Sequence, residues 1–214
     1  YAAVRSTRRI SPTAHYTAAV WARHGLDHPA VTAAIRHRLF RWTTPVTDSL
    51  ARVTGSPTIE QVLLQRHRGL DTLLRGAVQD GFTQVLEVPG GLSSRGPRFL
   101  ASHPDLRFVE GDLPAMAAHK RSALQAGGFT HANHAVVDID LLAETGPTSL
   151  GGVLDAHLDP TQPTVVIMEG LLNYFDEPTV AALWARIVQT LRPLPRLRYL
   201  ADMRVRVPHP GVAE

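Results

Sequence analysis

Gln84-Val-Leu-Glu-Val-Pro-Gly-Gly-Leu-Ser-Ser94 is the stretch that decides the fold. Residues 84–88 are a short apolar run carrying one acid, the pattern of a strand, and Pro89-Gly90-Gly91 breaks it with a turn. A glycine turn directly after a strand lets a ligand come close to the backbone, because no Cβ stands in the way. The spacing that follows, Pro-Gly-Gly-Leu-Ser-Ser-Arg-Gly, does not match the G-x-G-x-x-G of pyrophosphate binders. Ser93 and Ser94 read as capping residues of a helix expected over 95–102.

Downstream, the same alternation repeats. Strand-like runs at 106–110, 135–138, 164–168 and 197–201 are separated by helical stretches at 114–126, 147–157 and 178–191. Gly127-Gly128 ends one helix, and Pro178 suits the first turn of the last. Upstream the chain is helical. Val31, Ile35 and Leu39 recur every four residues within 28–42. A second helix is expected over 58–79, closed by Gly81. Strands alternating with helices predict an α/β fold: a mostly parallel, Rossmann-like sheet covered by helices on both faces. The expected division is an N-terminal helical lid over 1–57 and a ligand-binding domain over 58–214.

Composition narrows the function classes. The chain has 214 residues, 22 basic and 19 acidic side chains, and no cysteine. Disulfides, thiolate metal sites and a cysteine nucleophile are thereby excluded. No apolar run approaches the ~18 residues of a membrane helix, and the N-terminus has no signal-peptide pattern. The expectation is a soluble cytoplasmic protein with no membrane partner. The basic charge is almost all arginine, spread along the chain, with Lys120 the single lysine. Nucleic-acid binders concentrate such charge on one face, so no nucleic-acid partner is expected. His131 and His134 lack a third ligand, so no metal is expected.

Ligands of a doubly wound sheet bind outside the carboxyl ends of its strands. Four successive strands deliver an acid there: Glu87, Asp112, Asp138 and Glu169. Such an edge repels a pyrophosphate and suits a ligand with hydroxyls and positive charge. S-adenosylmethionine, with a ribose diol, an ammonium and a sulfonium, is of that kind. A carboxylate beyond the second strand can accept from both ribose hydroxyls.

Three stretches carry a family resemblance: Ile10-Ser-Pro-Thr-Ala-His-Tyr-Thr17 with Trp21; Gln65-Arg-His-Arg68 with Asp71; and Leu86 to Gly96 continuing through Phe108-Val-Glu-Gly-Asp-Leu-Pro114 and Lys120 to Met168-Glu-Gly-Leu-Leu-Asn-Tyr-Phe175. Together they resemble class I methyltransferases of the leucine carboxyl methyltransferase superfamily, with the tetracenomycin polyketide O-methyltransferase type as the nearer branch. The resemblance implies S-adenosylmethionine as cofactor. It implies that Arg66 pairs with the methionine carboxylate and that Glu87 and Gly91 form the first motif. It further implies that Asp112, with Glu110 as the nearby alternative, holds the ribose. Asp138 and Ile139 would flank the adenine, and Glu169 would lie near the amino-acid end. Two features depart from the family pattern. Pro89 stands where a small residue is usual, and the chain ends at Glu214, before the closing strand hairpin that such folds carry. Either a C-terminal segment lies outside this sequence or a partner completes the sheet edge; because an open edge invites aggregation, the outside segment is the favoured expectation.

Methyl transfer from a sulfonium is an in-line displacement that depends on alignment and exclusion of water. A carboxylate acceptor, pKa about 4, needs no base, whereas a phenol, pKa about 10, would benefit from one. His15 and Tyr16 in the lid and Tyr174 after the fourth strand are the candidate catalytic groups. The resulting expectation is an O-methyltransferase of a small-molecule carboxylate or hydroxyl, polyketide-like or from other secondary metabolism, with homo-oligomerisation left open. Two alternatives stand beside it. One is a catalytically degenerate domain of the same fold serving as a binding or partner subunit. The other is a nicotinamide oxidoreductase, disfavoured by the missing dinucleotide spacing.

Overall fold

The computed structural model describes residues 12–32 and 57–202. Five strands form one all-parallel sheet: β1 (Gln84–Glu87), β2 (Arg107–Asp112), β3 (His134–Asp138), β4 (Thr164–Met168) and β5 (Leu197–Ala201). Their spatial order is β3-β2-β1-β4-β5. The chain steps outward from β1 to β3, then crosses back to place β4 on the other side of β1. Strand order therefore reverses between β1 and β4, the point at which such sheets open a ligand crevice.

Helices α1 (Pro12–Arg23) and α2 (Pro29–Thr32) precede α3 (Ile59–Gln79). Among the described residues there follow α4 (Arg95–Ser102), α5 (Pro114–Ala126), α6 (Leu150–His157) and α7 (Glu177–Leu191), with a 3-10 turn at Leu172–Tyr174. The rule that strand side chains alternate between faces explains the layers. Leu86 and Val88 join the apolar layer made with α6 and α7. Val85 joins the layer made with α3 and α4, where Leu74 and Phe99 pack. Glu87, two residues after Val85, therefore emerges on the α3/α4 side. A third apolar cluster ties α1 and α2 to α5 through Val20, Trp21, Val31 and Leu124.

Local chemistry sets the helix limits. Thr58 and Gln61 form a reciprocal capping box: Gln61 N–H donates to Thr58 Oγ1 (3.1 Å) and Thr58 N–H to Gln61 Oε1 (2.8 Å). Asp176 caps α7 by accepting from Thr179 N–H at 3.1 Å, with Pro178 in the first turn. The helix expected from 147 starts at Leu150, because Ser149 Oγ accepts from Gly152 N–H at 3.2 Å and fixes the first turn there. β2 runs two residues beyond the expected end, to Asp112, where it still pairs with Asp138 of β3. Gly127, beyond stopping α5, permits contact with α2: a Cβ there would lie 2.1 Å from Ala30 Cα. Of the helix expected over 28–42, Pro29–Thr32 is helical and the part from residue 33 lies outside the described residues, as do most of the expected lid and the chain beyond 202. No helix among the described residues is long and apolar enough to cross a membrane.

Candidate functional site

A cleft of about 270 Å³ opens at the carboxyl ends of β1 and β4. α1 contributes Thr13, Thr17 and Trp21 to it, and the turn after β1 contributes Pro89, Gly90 and Gly91. Its charged groups are Glu87 at the end of β1, Asp112 at the end of β2, Glu169 after β4, and Arg66 from α3.

The glycine turn is fastened to the end of β2. Gly91, at φ +47°, donates its N–H to Asp112 Oδ2 at 2.7 Å, while Leu113 N–H donates to Oδ1 at 2.7 Å. Gly90 N–H reaches Gly111 O at 2.7 Å, and Lys120 Nζ donates to Gly90 O at 3.2 Å. A Cβ on Gly90 would stand 3.2 Å from Glu110 Cβ, so this approach favours glycine. Burial pushes the Asp112 carboxyl above its ordinary range, against the pull of the two backbone N–H groups. The carboxylate keeps free lone pairs for further donors.

Behind the cleft lies a buried charge network centred on Arg95, at the start of α4. Its guanidinium is fully buried. Nε donates to Asp71 Oδ1 at 2.6 Å, Nη1 to Glu87 Oε1, and Nη2 to Glu169 Oε2 at 2.7 Å. His67 Nδ1 lies 2.9 Å from Glu169 Oε2, and its ring stacks on Trp21 with centroids 4.1 Å apart. Arg66 Nε donates to the other Glu169 oxygen at 3.0 Å, and Arg66 Nη1 to Asp202 Oδ2 at 3.4 Å. Burial, then the Arg95 charge, lowers the His67 imidazole, which favours its neutral form. Burial would raise Glu169, but Arg95 and His67 outweigh it and hold the carboxyl below its ordinary range. Glu87 behaves oppositely. Burial pushes it up to about 7, Arg95 opposes, and the Glu110 and Glu169 charges add to the rise. Among the described residues, Glu87 Oε2 is buried without a hydrogen-bond partner.

The sequence candidates divide between the cleft and its surroundings. Arg66, Glu87, Gly91, Asp112, Glu169 and Tyr174 line it. Glu110, Asp138, Ile139, His15 and Tyr16 do not. Glu110 faces inward, paired with Lys120 Nζ and His134 Nε2, each at 2.9 Å. Lys120 and His134 outweigh burial there and hold the Glu110 carboxyl at about 2. Asp138 pairs with Arg121 at 2.8 Å on the surface. Ile139 is buried against Gly111, where a Cβ would be 2.7 Å from Ile139 Cγ2. His15 is buried on α1 with its ring edge-on to His119, centroids 5.7 Å apart, and half-buried Tyr16 packs in the helical cluster. Tyr174 is 64% exposed, its hydroxyl 3.3 Å from Thr13 Oγ1. Of the capping pair, Ser93 Oγ accepts from Arg95 N–H at 3.1 Å, whereas Ser94 makes no side-chain cap.

Sequence reasoning missed Arg95, His67 and Asp71 as one unit. The available signal was the i, i+4 spacing of His67 and Asp71, which puts both on the α3 face that meets the sheet. For Arg95 the pattern gave none, since arginines are mostly exposed.

The switch-point cleft, with its glycine turn and three acids, defines a ligand-binding α/β protein of Rossmann-like architecture. The chain belongs to the leucine carboxyl methyltransferase family, whose model matches residues 19–188. A Streptomyces coelicolor protein named a "putative S-adenosyl-L-methionine-dependent methyltransferase" is 36% identical over 144 residues, 67% of this chain and 49% of that protein. A Mycolicibacterium gilvum protein of the same name is 38% identical over 110 residues, 51% of this chain and 34% of that protein. The match to these relatives thus spans half of their length or less. Among solved structures, the mitomycin 7-O-methyltransferase MmcR is 19% identical, covering 86% of this chain and 52% of its own, with a TM-score of 0.44. PigF with SAH is 16% identical, covering 87% and 51%, with a TM-score of 0.42.

Proposed function

We propose that the chain is the cofactor-binding part of an S-adenosylmethionine-dependent O-methyltransferase acting on a small molecule. The observation that carries this reading is Glu87 Oε2: a buried acceptor without a partner among the described residues, on a residue that lines the cleft beside Asp112 and Glu169. A buried carboxylate oxygen left unmatched is costly unless a ligand meets it. A cationic nucleoside supplies what these residues lack. Its charge suits Glu87 and Glu169, its diol suits the free lone pairs of Asp112, and its backbone-facing edge suits the glycine turn. Family membership and the names of the relatives point the same way.

When bound, the cofactor supplies an electrophilic methyl on sulfur. The chain supplies orientation. Asp112, pinned by two backbone donors, has a fixed direction before any ligand arrives. Trp21, Thr13 and Thr17 on α1 line the cleft, and we read α1 as part of a lid over it. Tyr174, which lines the cleft with its hydroxyl 3.3 Å from Thr13 Oγ1 on α1, is the side chain we assign to the acceptor. His15 and Tyr16 turn into the helical layer, so no proton is routed through them here. A carboxylate acceptor, already ionised at neutral pH with a pKa of about 4, fits such a site better than a phenol.

Labelled-methyl transfer from S-adenosylmethionine to a panel of small carboxylic acids and phenols tests the assignment. Product label released as volatile methanol in alkali marks an ester, and stable label marks an ether. Transfer to neither class, with nucleoside binding intact, would point to the alternative of a non-catalytic binding subunit.

A further inference from the structure

The Arg95 network does more than neutralise buried acids. The guanidinium engages residues of three different elements: Asp71 on α3, Glu87 at the end of β1, and Glu169 beyond β4. Two of these acids belong to the cleft, one on each side of the switch point. Each is bound through one defined oxygen. Arg95 takes Glu87 Oε1 and leaves Oε2 unpartnered; it takes Glu169 Oε2 and leaves Oε1 to Arg66. A planar fork with five N–H donors can meet three carboxylates at fixed angles, whereas an ammonium is a point charge with three donors.

We infer that Arg95 is a positioning residue for the cationic end of the nucleoside: it clamps Glu87 and Glu169 across the switch point so that Glu87 Oε2 is the acceptor left for the ligand. The inference rests on the cofactor assignment above. Arg95 touches no ligand itself; it acts through Glu87. The charged groups that face Glu87 are Arg95 from α4, Glu110 from β2, Lys120 from α5 and Glu169 from beyond β4. Their balance, together with burial, sets the Glu87 carboxyl to ionise near neutrality. A cationic ligand selects the ionised form, and apparent affinity scales with the fraction of protein in the competent form. Binding therefore tightens as pH rises through about 7.

The test is calorimetric titration of the full chain with S-adenosylmethionine between pH 6 and 8. The wild type is expected to gain about tenfold in affinity over that span. Arg95→Lys keeps the charge but not the fork. It should bind at least tenfold more weakly at pH 7, with the midpoint of the pH profile moved upward. Asp71→Asn removes a carboxylate that competes for Arg95, and should move the midpoint downward. A purely structural role for Arg95 would lower the fraction of competent protein without moving either midpoint, and that result overturns the inference. Should Arg95→Lys fail to fold, an unmoved midpoint in Asp71→Asn overturns it alone. A wild type that binds with a flat pH profile overturns it while leaving the cofactor assignment standing. No binding at any pH removes both.

Discussion

Lys120 and Glu110 form a buried ion pair, Nζ to Oε1 at 2.9 Å, directly behind the glycine turn. The same ammonium donates to the carbonyl of Gly90 at 3.2 Å, so the one lysine of the chain joins β2, α5 and the cleft loop. Removing one member of a buried pair leaves the other charge uncompensated. Lys120→Met is expected to cost about 3–5 kcal/mol, as such truncations do, measured by urea unfolding. A cost below about 1 kcal/mol, the range of exposed pairs, would contradict the burial of this pair.

Glu110 and Glu87 impose opposite pH dependences on stability. The Glu110 carboxyl is held at about 2, below its ordinary 4.5, so its contribution is present above 4.5 and is lost as pH falls towards 2. The Glu87 carboxyl is raised to about 7, so its contribution is full below 4.5 and is lost as pH rises through 7. The Glu87 contribution to stability should thus decline between pH 4.5 and 7 in the unliganded protein, opposed by the lowered His67, and Glu87→Gln should remove that declining part of the profile. Denaturant midpoints collected across pH 4–8 for the two proteins would show it; parallel profiles would refute the role of Glu87.

Asp112 serves two backbone donors, and its replacements should grade accordingly. Asp112→Ala strands both the Gly91 and Leu113 N–H groups and is expected to cost about 1–2 kcal/mol, as the loss of such caps does. Asp112→Asn retains one acceptor oxygen and should fall between. Under the proposed function, affinity for S-adenosylhomocysteine should drop in the same order, by at least tenfold for alanine. Equal affinities by calorimetry would remove Asp112 from the site.

Tyr174 separates stability from turnover. Its exposed hydroxyl lies 3.3 Å from Thr13 Oγ1 on α1. Tyr174→Phe should leave unfolding unchanged within about 0.5 kcal/mol, as surface substitutions usually do. It should lower kcat/KM for methyl transfer severalfold if that contact holds α1 against the acceptor. Unchanged kinetics would restrict Tyr174 to the rim.

The fold was legible because strand and helix periodicities differ and the turn chemistry agreed with them. β4 and β5 fell on the expected residues, as did α4 and α5; Pro163 precedes β4, and Pro114 and Gly127 bound α5. The acids at the ends of β1, β2 and β4 followed from where the strand-like runs end, by the rule that ligands meet the carboxyl ends. Asp138 did not join them at the cleft, since β3 is an edge strand two places away from the switch point and Arg121 lies within its reach. What periodicity could not reveal was the partnership of distant charges. Arg95 and Glu169 lie 74 residues apart in sequence, and nothing local in either segment announces the other.

That separation ties assembly to ligand capture. The anchors of Arg95 come from both sides of the switch point, so a chain in which only β1–β3 had docked would leave the guanidinium short of its Glu169 partner and the cleft without its β4 wall. The full set of acids at the cleft can come together only once the crossover to β4 is complete.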